Sequence, residues 1–209
     1  MQSTVKPPEE GRLWEWRAFG RISRRLAAKI KEHPIRLGIE NQSEDDTYLV
    51  SAVSDQNVKL RNYASGTVLK LKLLFAAGPD LIELYDESAT YIHRFPVTRR
   101  EVEETAHLLR VKLGKIAFAI DSFTPAEFIS ALEKSSPPVM KVDVSKRRTQ
   151  YDFGEGWIEV ADVIFPHHQV QTISIQSPDF EVVKGMLMKL RPSDELEAMN
   201  YVEACRRWA

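Results

Sequence analysis

The stretch VLKLKL at residues 68–73 decides how the fold of this chain is predicted. Side chains alternate between the two faces of an extended strand, so Lys70 and Lys72 share one face and the leucines share the other. The stretch NVKLR at residues 57–61 has the same alternation, again with basic side chains on one face. The sequence therefore predicts strands that are apolar on one side and strongly basic on the other.

Like charges two residues apart on a strand repel each other, so a basic face needs an anion or interleaved carboxylates beside it. The strand around Lys146 is a third basic strand, and Arg17 adds a cation to a fourth. Carboxylates available for compensation are Glu15, Glu83 and Glu159. Two arrangements remain open: solvated outer faces of a sheet, or a barrel with a polar interior whose apolar exterior is covered by amphipathic helices.

Composition and charge limit the domain organisation, partners and cellular compartment that can be expected. The 209 residues are 43% hydrophobic and carry a net charge of −1, which predicts one globular domain over 12–209, after a flexible leader over 1–11 that is rich in proline and charge. Bulk charge gives no drive toward DNA or an anionic membrane, and no apolar run approaches the length of a membrane span. A single cysteine, Cys205, fits a reducing compartment. We expect a cytoplasmic protein, and we leave a homodimer open.

Local signals place the remaining elements. Trp14 and Trp16 share one face of the first strand, while Glu15 and Arg17 share the other. Helices are predicted after two capping boxes, formed by Thr98 with Glu101 and by Thr124 with Glu127, and Ser193 is the predicted cap of a final helix. We expect the tryptophans, Trp157 included, to pack in an outer core.

Motifs for several other chemistries are missing from the sequence. It contains no GxxxxGK[ST] and no GxGxxG, so neither a P-loop nor a Rossmann site is supported. No GxSxG elbow occurs either, which disfavours nucleophilic catalysis of that type. The adjacent His167 and His168 diverge in an extended chain and have no further ligand at metal spacing.

Five short segments, in order along the chain, resemble the motifs of the CYTH superfamily, also called the triphosphate tunnel metalloenzymes. LWEWR at 13–17 resembles the ExExK strand, and DTY at 46–48 resembles a DxY-like strand. KLR at 59–61 is similar to the basic LRxR strand, and LKLK at 69–72 is similar to the LxxK strand. KRRTQY at 146–151 matches KxRxxY.

The resemblance implies an α+β fold, an eight-stranded antiparallel tunnel-like β-barrel with amphipathic helices outside. It also implies Mg²⁺ or Mn²⁺ as cofactor and a triphosphate or polyphosphate as ligand. Substrate-binding residues would be Arg17, Lys59, Arg61, Lys70, Lys72, Lys146 and Arg148. Glu15, Glu83 and Glu159 would hold the metal, with Glu15 and Glu159 as the catalytic carboxylates. Glu159 is preferred to Asp162, because three residues apart they point to opposite faces.

Departures from these motifs leave the activity open. Leu13 replaces the first glutamate of ExExK, Arg17 replaces its lysine, and the acidic EIE strand is Ser174-Ile175-Gln176 here. Hydrolysis of a triphosphate by a carboxylate-held metal is one expectation. Polyphosphate or nucleotide binding without turnover is the second, and an RNA-interacting module with an external basic sheet is the third.

Overall fold

Antiparallel strands build most of this protein. The computed structural model describes residues 11–115, 121–192 and 195–209. The strands are β1 (Arg12–Gly20), β2 (Gln42–Val50), β3 (Asn57–Tyr63), β4 (Gly66–Ala77), β5 (Glu83–Asp86), β6 (Ile92–Arg94), β7 (Val97–Thr98), β8 (Ser122–Phe123), β9 (Met140–Asp152), β10 (Trp157–Phe165), β11 (His168–Ser177) and β12 (Glu197–Ala198).

The main sheet closes on itself because β1 pairs with a strand on each side. Glu15 lies opposite Glu83 of β5 and opposite Gln176 of β11. The ring runs β1, β5, β4, β3, β2, β9, β10, β11 and back to β1, and every neighbouring pair is antiparallel. The predicted eight-stranded tunnel-like barrel is confirmed.

Five α-helices accompany the sheet in the described part of the chain: α1 (Arg24–Ile30), α2 (Arg99–Leu108), α3 (Pro125–Glu133), α4 (Phe180–Leu190) and α5 (Tyr201–Trp208). Both predicted capping boxes form, at Thr98 for α2 and at Thr124 for α3. Asn200 caps α5, whereas Ser193, the predicted cap, lies outside the described residues. The predicted leader also lies outside them, except for Gly11. No described helix is long and apolar enough to cross a membrane.

Apolar side chains cover the outside of the barrel in two layers. Leu60 of β3 and Leu69 of β4 pack against Val102 of α2 and Phe128 of α3. On the other side, Trp16 and Ile175 belong to the cluster that holds α1 and α4. Because the leucines of the basic strands face these layers, alternation turns their lysines and arginines into the barrel.

A third apolar cluster fills one end of the barrel interior. Phe19, Tyr48 and Val144 meet Tyr201 and Cys205 of α5 there. The C-terminal helix therefore closes this end of the barrel from within.

Candidate functional site

Basic side chains of β3, β4 and β9 surround a cavity of about 180 Å³ inside the barrel. The basic side chains that line it are Lys59, Arg61, Lys70, Lys72, Lys146 and Arg148. The seventh predicted basic residue, Arg17, is also buried inside the barrel but does not line the cavity. These predicted residues thus come together inside the tunnel, and they do not form the external basic sheet that an RNA-interacting module would use.

Carboxylates are interleaved with these cations. Arg61 donates from Nε to Asp46 Oδ1 at 2.7 Å and from Nη1 to Glu44 Oε1 at 2.7 Å. The Nζ atoms of Lys146 and Lys59 lie 3.0 and 3.2 Å from Asp46 Oδ2. The sequence matched Asp46 to a DxY-like motif, but neither Asp46 nor Glu44 was predicted as a site residue. Their spacing of two residues on β2, ahead of an inward tyrosine, is the signal that would have placed them on the inner face.

Two predicted catalytic carboxylates share one arginine. Arg17 donates from Nε to Glu15 Oε1 at 2.8 Å, and its Nη2 lies 3.5 Å from Glu159 Oε1. Lys72 also binds Glu15, and Arg148 Nη1 donates to Glu159 Oε2 at 2.9 Å. Both carboxylates are buried, so each is held by two cations inside the barrel.

The other acidic residues differ in position. Glu83 accepts hydrogen bonds from the Tyr85 hydroxyl at 2.6 Å and from Asn200 Nδ2 at 2.9 Å. Asp162 is only half-buried and pairs with Arg147 on the outer side of the sheet, as the choice of Glu159 over Asp162 predicts. Glu87, which was not predicted, lies 2.7 Å from Lys72 and lines the cavity.

Burial and charge shift the acid–base behaviour of the interior. Burial alone would raise the pKa of Glu15, but the adjacent Arg17 and Lys72 lower it to about 2. Burial, together with the nearby cations Lys146 and Arg61, lowers the pKa of Lys59 to about 7 against the attraction of Asp46. The low pKa of Lys59 therefore reflects mainly its removal from water, which disfavours the charged form of an amine.

The predicted metal ligands do not form a ready ligand set. No group of three or more carboxylate, histidine or cysteine side chains within the described residues is arranged to hold a metal ion. Glu15 and Glu159 are occupied by lysine and arginine donors, and Glu83 by a tyrosine and an asparagine. A hard divalent cation needs free carboxylate oxygens, so these side chains do not fit Mg²⁺ or Mn²⁺ in this arrangement. The assignment of metal ligands stays a prediction.

The ring of Tyr201 lies at the closed end of the cavity, with a second aromatic ring behind it. Tyr201 of α5 stacks on Tyr48 with ring centroids 5.4 Å apart, and the Arg17 guanidinium lies 4.5 Å from the Tyr201 centroid. Arg206 anchors the helix by donating to the carbonyl oxygens of Ser51 and Ser54 at 2.8 and 2.6 Å. Helix α5 therefore closes one end of the tunnel, and Tyr201 forms what we call the tunnel floor.

The position of Trp157 differs from the predicted one. It was predicted to lie in the outer core, yet it lines the cavity, with the Arg36 guanidinium 4.5 Å from its ring centroid. The cause is the register of β10, in which Trp157 and Glu159 share the inner face while Ile158 packs outside.

Comparison with solved structures identifies the same fold elsewhere. A candidate adenylate cyclase from Bacillus halodurans superposes with a TM-score of 0.51 at 13% identity, covering 93% of this chain and 98% of that one. A candidate adenylyl cyclase from Hippeastrum, described as having a dominant triphosphatase activity, gives 0.52 at 13% identity, covering 93% and 95%. No protein-family profile matches the sequence, and no curated protein matches it either. The likeness shows a shared barrel fold.

Proposed function

We propose that this protein is a CYTH-like protein that binds a triphosphate or polyphosphate anion inside its barrel. The observation that carries the proposal is the convergence of Lys59, Lys70, Lys72 and Lys146, with two arginines, on one cavity. Phosphate chains are recognised by such arrays, because each phosphate can accept charge-assisted hydrogen bonds from several donors.

The interleaved carboxylates do not balance all of the positive charge of the basic side chains, so an added anion would be attracted to the cavity. The carboxylates in contact with the basic side chains are Glu15, Glu44, Asp46, Glu87 and Glu159, which are fewer than the cations. Lys70 has no ion pair with any carboxylate of the described residues, and its Nζ lies 5.7 Å from the Tyr63 ring centroid. This uncompensated charge is available to an anion bound in the cavity.

The size of the cavity favours a slender ligand. At about 180 Å³, it is smaller than the roughly 300 Å³ at which pockets for drug-sized ligands begin. An inorganic phosphate chain fits this space, and the organic part of a triphosphate ester would remain at the open end beside Trp157. Binding to DNA or a membrane is not part of this proposal.

Hydrolysis is the second candidate function. The Hippeastrum protein of the same fold is described as a triphosphatase, and Glu15 and Glu159 are the carboxylates that would serve here. Both carboxylates are engaged by cations, so we propose that the protein binds triphosphates but hydrolyses them slowly.

Titration calorimetry tests the binding proposal. Tripolyphosphate, diphosphate and monophosphate are titrated at one ionic strength, because salt screens such interactions. Lys70→Gln should weaken tripolyphosphate binding about five- to tenfold, the effect of losing one charge-assisted contact at a half-exposed site. Lys141→Gln is the matched control on the outer face of β9, where Lys141 pairs with Asp143, and it should bind like the wild type. Absence of tripolyphosphate binding in the wild type would rule the proposal out.

A further inference from the structure

A buried tyrosine hydroxyl at the closed end of the cavity has no hydrogen-bond partner among the described residues. Tyr201, the first residue of α5, is 5% exposed, and its ring lines the cavity. Its hydroxyl oxygen is buried, and no group of the described residues bonds to it. Buried polar groups in proteins are nearly always satisfied, because an unpaired one has lost its hydrogen bonds to water.

The surroundings of this hydroxyl indicate what its partner would be. Lys146 Nζ lies 5.1 Å from the centroid of the Tyr201 ring, and the Arg17 guanidinium lies 4.5 Å from it. Burial raises the pKa of Tyr201, against the pull of these two cations, so the hydroxyl keeps its proton and is available as a donor. An acceptor placed beside two cations and a hydroxyl donor is best supplied by an anionic oxygen.

Tyr48 provides an internal comparison. It stacks on Tyr201, and its hydroxyl is likewise buried without a partner in the part of the chain that the structure describes. Tyr48 is absent from the cavity lining, so it is not positioned to contact a ligand there. Of these two tyrosines, Tyr201 lines the cavity and Tyr48 does not.

We propose that Tyr201 is a ligand-binding residue that forms the end stop of the tunnel, its hydroxyl donating a hydrogen bond to the terminal phosphate group of the bound chain. This inference rests on the proposed polyphosphate site and deepens it. A phosphate chain then enters through the open end, and its leading phosphate meets the hydroxyl together with Lys146. The C-terminal helix thereby takes part in recognition as well as in closing the barrel.

The test compares Tyr201→Phe with Tyr48→Phe. Each substitution removes one buried hydroxyl and keeps the stacked ring. Tyr201→Phe should weaken tripolyphosphate binding about tenfold, the effect of losing one hydrogen bond to a charged group, while Tyr48→Phe stays within about twofold of the wild type. Without ligand, the melting temperature of Tyr201→Phe should equal or exceed that of the wild type, because the lost hydroxyl was unpaired.

The outcomes separate the two levels of proposal. If the wild type binds tripolyphosphate and Lys70→Gln weakens it, but Tyr201→Phe binds normally, the end stop is wrong and the site stands. A lower melting temperature of Tyr201→Phe with unchanged affinity would likewise assign the hydroxyl to a structural bond. Failure of the wild type to bind overturns both proposals.

A second measurement does not require the Tyr201→Phe variant to fold. 3-Fluorotyrosine is inserted at position 201 alone, which keeps the hydroxyl and gives one assigned ¹⁹F resonance. Titration with tripolyphosphate should shift this resonance with the affinity found by calorimetry. A resonance that stays in place through saturation contradicts the inference.

Discussion

The Arg61 guanidinium binds the Asp46 carboxylate through two parallel hydrogen bonds, Nε to Oδ1 at 2.7 Å and Nη2 to Oδ2 at 2.8 Å. The pair joins β3 to β2 inside the barrel, where the two residues lie opposite each other. Asp46 also contacts Lys59 and Lys146. One carboxylate therefore holds three cations that would otherwise repel each other across the cavity.

Replacing Asp46 by Asn should destabilise the protein strongly. The substitution leaves buried cations without their carboxylate, an effect of about 3–5 kcal/mol for buried ion pairs. Denaturant unfolding at pH 7 measures the loss. Asp143→Asn, an exposed substitution on the same sheet beside Lys141, should change stability by less than about 1 kcal/mol. Similar losses in both variants would contradict the central role of Asp46.

Stability should fall in acid over a window set by the buried carboxylates. The pKa of Glu15 is lowered from 4.5 to about 2, and those of Asp46 and Glu159 are also lowered, against burial, by nearby cations. A lowered folded-state pKa contributes stability that is complete above the unfolded value and disappears as pH falls through the folded value. For Glu15 the contribution is on the order of 3 kcal/mol, lost between about pH 4.5 and 2.

The matched variant is Glu15→Gln. It should be less stable than the wild type at pH 7, and the difference should shrink as the pH falls toward 2. Chemical denaturation at a series of pH values measures it. A difference that does not change with pH would show that Glu15 has an ordinary pKa.

Anion binding above pH 7 should take up a proton at Lys59. Its pKa is about 7, so the side chain is mostly neutral at pH 8, and a nearby anion favours the charged form. The charged groups that face it are Asp46 and Glu44 on β2, Arg61 on β3 and Lys146 on β9. We expect uptake approaching one proton at pH 8 and little uptake at pH 6.

Calorimetry in two buffers of different ionisation enthalpy measures this uptake. The Lys59→Arg variant stays charged at both pH values and accounts for protons taken up or released by tripolyphosphate itself. Equal uptake by wild type and variant at pH 8 would assign the proton to the ligand instead.

Adding a carboxylate at position 13, where the resemblance to ExExK predicts one, should create a metal site. Leu13 lies on the same strand face as Glu15 and is paired with Tyr85, which lines the cavity. Leu13→Glu would therefore place a second carboxylate toward the interior beside Glu15. We expect tighter Mn²⁺ binding than in the wild type, detected by electron paramagnetic resonance.

Phosphate release from tripolyphosphate and ATP with Mg²⁺ or Mn²⁺ gives the functional comparison. The wild type should release phosphate slowly, and Leu13→Glu should be faster. Glu15→Gln is the control in both backgrounds. Rapid wild-type turnover that Glu15→Gln abolishes would show that the existing carboxylates suffice for catalysis.

The alternation of residues on single strands determined much of this protein from its sequence. The period-two pattern around Lys59 and Lys70 separates a basic face from an apolar face wherever the strand lies. The capping boxes at Thr98 and Thr124 likewise depend only on residues three positions apart. These features were predictable because they are local.

The tertiary structure alone decided what stands across from each charge. Asp46 meets Arg61 and Lys146 only because β2 pairs with β3 on one side and β9 on the other. Tyr201 reaches the tunnel floor only because α5 folds back into the barrel end. Strand register and helix docking result from the packing of residues far apart in the chain, and no spacing within one segment encodes them.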